Sequence, residues 1–139
     1  MIFKPIRATG LMIVVLMMIF LDGSSGIAEE LLSSGKFVTL GSHATEGTVE
    51  IRKNKDGVSV RLNQDFSADK GPALQVLLHR EDWPESFDNK DFINLGSLKK
   101  QTGTQSYQIP EGINLENFKS VVIWCAKFRV AFGSAHLDK

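Results

Sequence analysis

The sequence predicts an all-β fold: an antiparallel β-sandwich or barrel-like single domain behind an N-terminal signal peptide. Three observations lead there. Apolar and polar residues alternate over short runs after residue 35. Gly, Pro, Asn and Asp punctuate those runs. No strong helical pattern follows residue 34. About six to eight short strands in roughly 110 residues suit a sandwich or a closed barrel.

The elements follow in order. Ala28 to Ser33 reads as a short turn of helix, and Lys36 to Leu40 as a first strand. From Gly47 to Arg52, Val49 and Ile51 share one face, with Thr48, Glu50 and Arg52 on the other. Val58, Val60 and Leu62 alternate with Ser59, Arg61 and Asn63. Lys53 to Gly57 joins these two runs as a hairpin loop ending in Asp-Gly. Ala73 to Arg80 is more continuously apolar and suits a central strand. Glu81 to Asp91 is the longest irregular stretch. Gln105 to Ile109 is a short strand stopped by Pro110, and Glu116 to Ser120 forms another turn. Val121 to Phe132 is the strongest strand signal, buried on both faces over Val121–Trp124 and alternating over Lys127–Phe132.

Residues 1–28 read as a signal peptide, with an uncleaved membrane anchor as the alternative. Lys4 and Arg7 give a positive start, and Leu11 to Leu21 is an eleven-residue apolar run. That run is short for a membrane span, which needs about 20 residues. Gly26 and Ala28 fit cleavage after Ala28. The expectation is an exported protein, periplasmic or extracellular, that meets a membrane only through an uncleaved N-terminal segment. Residues 29–139 then form the domain.

Charge narrows the function classes. The chain has 139 residues, 16 basic and 16 acidic. Losing Lys4, Arg7 and Asp22 leaves 14 basic and 15 acidic residues, a net charge of −1. This excludes a strongly basic nucleic-acid binder, so no nucleic-acid partner is expected. All four methionines lie within the first 18 residues, so the domain has no thioether ligand.

Several strings carry a resemblance. They are Gly35-Lys36-Phe37, Gly41-Ser42-His43-Ala44-Thr45-Glu46-Gly47, Asp65-Phe66 and Gly71-Pro72-Ala73-Leu74. Leu95-Gly96-Ser97-Leu98-Lys99 and the run Gly103 to Pro110 follow. Last are Ser120-Val121-Val122-Ile123-Trp124-Cys125 and the run Phe128 to Ala135. Together they resemble the DM-thirteen "electron transfer" domain family, whose domain accompanies DOMON domains in Skeletor-type proteins of animals. The resemblance spans nearly all of the chain after the leader, and the expectation is a domain that stands alone, with no DOMON partner attached. It implies electron transfer, a β-sandwich-like fold, and the single cysteine as redox residue.

The residues themselves leave alternatives open. Cys125 is the one cysteine, so an intrachain disulfide is excluded and an unpaired thiol in an exported protein needs a reason. On a regular strand it shares a face with Lys127 and Arg129, whose charges favour a thiolate. With a bulge at Ala126 it turns inward and packs as a small apolar residue. His43 sits in a glycine-flanked loop as a candidate ligand or proton partner, or as a loop histidine capping backbone. His136 reaches Cys125 if the chain folds back. His79 ends an apolar strand and reads as a surface residue.

Cofactor chemistry is bounded in the same way. Cys-x-x-Cys-His is absent, which excludes covalent c-type haem. One cysteine cannot hold a conventional iron–sulfur cluster. His136 follows Cys125 by eleven residues with no methionine after it, unlike a blue-copper protein. Non-covalent haem or a copper-type metal, drawing on Cys125, His43 and His136, stays open. There is no Gly-x-Ser-x-Gly elbow and no calcium-loop pattern, so a stand-alone enzyme is not expected. The reading is a small redox or electron-transfer module with a redox partner protein. The alternative is a non-catalytic binding module in which Cys125 is structural.

Overall fold

A computed structural model describes residues 28–139. The expected leader, residues 1–28, lies outside the described residues apart from Ala28. Among the described residues no helix is long and apolar enough to cross a membrane.

Ten strands are described: β1 Glu30–Thr39, β2 Thr45–Glu46, β3 Thr48–Asn54, β4 Gly57–Leu62 and β5 Ser67–Ala68. The second half holds β6 Leu74–His79, β7 Phe92–Ser97, β8 Gln105–Gln108, β9 Ser120–Cys125 and β10 Val130–His136. Eight of them form one sheet in the order β7-β6-β9-β10-β1-β3-β4-β8, while β2 and β5 pair separately. Every paired neighbour is antiparallel. The sheet curls until β7 and β8 lie side by side without a ladder. Their approach is held by the Lys99 N–H, which donates to the Tyr107 hydroxyl at 2.8 Å. The result is a nearly closed barrel, as the alternation of the sequence predicts.

The expected hairpin loop over 53–57 tightens to a two-residue turn. Asn54 pairs with Gly57, and the Asn54 side chain accepts from the Asp56 N–H at 2.8 Å. Gly57 has φ 123°, which a side chain would resist.

Three expectations are corrected, and one strand is added. Ala28 to Ser33 is not helical; β1 begins at Glu30, because Glu30 and Leu31 already pair with Lys53 and Arg52 of β3. The long strand signal over 121–132 is a hairpin. Cys125 pairs with Val130, and the chain reverses through Ala126–Arg129, with Arg129 at φ 53°. Strand β7 is an addition that the sequence did not signal. His79 is completely buried rather than on the surface. Of the turn expected over Glu116 to Ser120, a 3-10 turn covers Leu115–Asn117, and Ser120 already belongs to β9.

Strands β6 and β9 read as continuously apolar because both of their faces are covered. Leu74, Val76 and Leu78 of β6 face the interior with Val121, Ile123 and Cys125 of β9. Leu77, Val122 and Trp124 face outward, under Phe87 and Phe92. His79 pins the segment that carries Phe87. Its Nδ1 accepts from the Glu81 N–H at 3.0 Å, so Nε2 carries the proton and donates to the Ser86 carbonyl at 2.7 Å. The Ser120 hydroxyl donates to the Glu81 carbonyl at 2.6 Å. Asp91 accepts from the Ser86 hydroxyl and the Asp88 N–H, and the Ser86 bond is the main reason its carboxyl is held below the usual range. An eleven-residue irregular segment is thereby fixed over the outer face of the sheet.

The barrel interior has two unlike ends. The buried rings of Phe37, Phe66 and Phe132 fill part of the interior, Phe37 and Phe66 edge to face at 5.4 Å and Phe132 at the Cys125 end. Gly71 and Gly133 belong to this end because a side chain there would press on Leu74 and on Thr45 respectively. At the other end the walls are aliphatic: Leu32, Ile51, Leu78 and Leu137, with Phe118 beside them.

Candidate functional site

Cys125 is the last residue of β9, between Leu74 on one side and Val130 on the other. It is a free thiol with no exposed surface, inside the main apolar cluster. The turn at Ala126–Arg129 decides its surroundings. Lys127 and Arg129 go to exposed positions on that turn instead of sharing a strand face with the thiol. The charge argument for a thiolate therefore loses its geometry, and the sulfur points inward, the orientation the sequence allows if the strand breaks at Ala126.

His43 lies in the loop between β1 and β2, half-buried. Its ring stacks flat on Phe132, centroids 4.2 Å apart and planes 12° from parallel. Phe132 is fully buried, so His43 sits on top of the packed end of the barrel. The loop is drawn there by the Leu40 N–H, which donates to the Phe132 carbonyl at 2.8 Å.

His136 goes elsewhere. It pairs with Ser120, at the opposite end of the β9–β10 hairpin from the Cys125–Val130 pair. Its Nδ1 lies 3.1 Å from an Asp82 carboxylate oxygen, and its ring faces Trp83 at 6.3 Å. The fold thus places His43 and Cys125 at one end of the barrel and His136 at the other. Among the described residues, no group of three or more His, Cys, Asp or Glu side chains is placed to hold a metal ion.

Beside His43 the surface opens into a groove of about 690 Å³. Its walls include His43, Phe87, Trp124, Phe128, Arg129 and Val130. Trp124 stacks on Phe87, centroids 4.1 Å apart and planes at 21°. Phe128 and Val130 are 53 % and 42 % exposed, a concentration of apolar surface at one hairpin tip. Arg129 supplies positive charge at the rim and Glu85 negative charge. Two chemical properties meet here: apolar surface from Phe128, Val130 and the Phe87–Trp124 stack, and an imidazole that can ligate or carry a proton.

Sequence reasoning did not single out Phe87, Phe128 or Val130. Phe87 was visible only as an aromatic within an acidic loop. Trp124 reads as core from its neighbours, and it is core, but on the outer face where it floors the groove.

A scan against family models matches residues 36–137 to the family described as electron transfer DM13. Searches of the curated proteins and of the solved structures returned no match. The matched span runs from the middle of β1 to just beyond β10 and takes in the barrel, Cys125 and the groove. A match over most of the chain decides its kinship: this protein belongs to the electron transfer DM13 family.

Proposed function

We propose that this protein is an exported electron-transfer module whose working surface is the aromatic groove beside His43. In this reading the redox group is seated in the groove, and Cys125 is a packing residue beneath it. The observation that carries the proposal is the coincidence, at one barrel end, of an open aromatic groove with a half-buried histidine. The family's name supports the redox class.

The donor set bears on which group would fit. A copper-type centre built from Cys125, His43 and His136 does not fit, because His136 is at the far end of the barrel. A non-covalent haem fits better. His43 would be its protein ligand, Trp124, Phe87 and Phe128 would line its faces, and Arg129 would pair with an acidic substituent. Such a group supplies reversible one-electron chemistry when bound. The chain's own part is to exclude water with the aromatic walls, to orient the ring through His43, and to present Phe128 and Val130 to a redox partner protein. Export through residues 1–28, as their sequence suggests, would put that exchange outside the cytoplasm.

A second reading has its own observation. The complete burial of Cys125 also suits a binding module with no chemistry, in which the groove holds an apolar partner.

Absorption spectra separate the two. The protein is purified natively and examined as isolated and after addition of haemin. The proposal predicts a Soret band that survives Cys125→Ser and is lost in His43→Ala. A band lost in Cys125→Ser and kept in His43→Ala would return the redox role to the thiol. A colourless protein that also fails to take up haemin would leave the binding module.

A further inference from the structure

The aliphatic end of the barrel holds a pocket of about 220 Å³, remote from the groove and independent of the reading given for it. Its walls are Leu32, Ile51, Leu78, Phe118 and Leu137, with Leu115 of the 3-10 turn as part of its roof. Ile51, Leu78, Phe118 and Leu137 are each 6 % exposed or less. Protein interiors pack to crystal-like density and leave few voids larger than a water molecule. This space is wider than a packing defect and opens to the surface beside Glu116 and Lys139, so a ligand can reach its apolar walls.

Ser33, Glu116 and Lys139 also line the pocket and can hold water near them, but water against the side chains of Ile51, Leu78, Phe118 and Leu137 would lack the two to four polar partners it needs. Apolar cavities of about 150 Å³ lined by Leu, Ile and Phe stay dry and take up benzene. The mouth narrows the class further. Lys139 Nζ is 2.8 Å from the Glu116 carboxylate, which holds that carboxyl below its usual range. The Ser33 hydroxyl donates to the Asp138 carbonyl at 2.6 Å. The charged and hydroxyl groups at the mouth are thus matched within the chain, and none of them is left over to neutralise a charged ligand.

We infer that this end of the barrel is a binding site for a small uncharged apolar molecule, a single aromatic ring or a short hydrocarbon chain. The ligand enters past the Glu116–Lys139 pair and lies against Ile51, Leu78 and Leu137. Its site is separated from the groove by the length of the barrel, since Leu78 pairs with Val121 at one end of β9 and Leu74 with Cys125 at the other.

Toluene is the probe. The protein, methyl-labelled at Ile, Leu and Val, is titrated with toluene and followed by NMR. The site predicts saturable shifts of the Ile51, Leu78 and Leu137 methyls, with Leu62 and Val49 unmoved. Leu115→Phe extends a ring from the roof into the space and should weaken binding at least tenfold. Leu32→Phe does the same from β1 and serves if the first variant does not fold. Shifts that do not saturate, or that spread equally to Leu62 and Val49, would overturn the site. So would saturable binding that neither phenylalanine variant weakens.

Discussion

The two ends of the barrel share the same strands and differ in how they are filled. At the Cys125 end, the fully buried Phe132 ring packs under His43, and glycine stands where a side chain would collide with its neighbours. At the other end, branched aliphatic side chains stop short of one another and leave about 220 Å³. One end is sealed so tightly that the single thiol has no exposed surface, while His43 and Trp124 border the groove outside it. The other is open inside and plain outside. A barrel of one sheet can thus be packed solid at one end and left open at the other, set by the choice between ring, branch and glycine at a few inward positions.

The largest expected effect breaks the sealed end. Phe132→Ala removes a fully buried ring that also carries His43, and should cost about 3–5 kcal/mol in urea unfolding. The same variant should make Cys125 reactive in the folded protein. A loss below about 1 kcal/mol would mean that this end is not close-packed.

Adding volume sharpens the comparison. Gly133→Ala presses a methyl on Thr45 and should cost about 1–3 kcal/mol, the usual penalty of overpacking. Leu115→Phe adds more volume at the open end and should be neutral or stabilising, because it fills space already present. Equal losses in the two variants would erase the distinction between the ends.

The smallest effect acts on the wall common to both ends. Glu50 is held below its usual pKa of 4.5 chiefly by its hydrogen bond to Arg52, with Arg61 adding to it. A carboxyl with a lowered folded pKa stabilises fully above its unfolded value, and that stability is lost as pH falls through the folded one. Tyr107 is pushed above its usual 10.0 by burial, so its contribution is present below pH 10 and is lost as pH rises through the folded value. Urea unfolding across pH should therefore show stability falling at both extremes. Glu50→Gln should flatten the acid limb and Tyr107→Phe the alkaline limb. Limbs unchanged by these substitutions would remove both groups as their cause.

Much of the barrel was legible as alternation. The β3–β4 hairpin, the apolar β6 and the inward face of β9 follow from period two and one Asp-Gly. What was not legible has local reasons. Phe92 to Ser97 shows little contrast between its faces, because that edge strand is only half-buried on either side. Lys127 to Phe132 alternates by accident across a turn, and nothing in those residues marks Arg129 as the one in left-handed backbone. The reading of His79 as a surface residue missed an available inference. A strand apolar on both faces is covered on both, so its last residue is covered too. The candidate site was half legible. His43 and Cys125 do share one end, but whether the sulfur points in or out turned on a single bend at Ala126. The groove depends on Phe87, brought from a loop whose path is fixed by hydrogen bonds to His79, and no local pattern announces that.

Cys125 lies sealed behind the groove, and in the proposed function it is not itself the exchanging centre. Titration of the thiol with a disulfide reagent, with and without denaturant, tests it most directly. The account predicts no reaction in the folded protein and one thiol per chain after unfolding. Rapid, stoichiometric reaction of the folded protein would contradict it and move the redox role back to the cysteine.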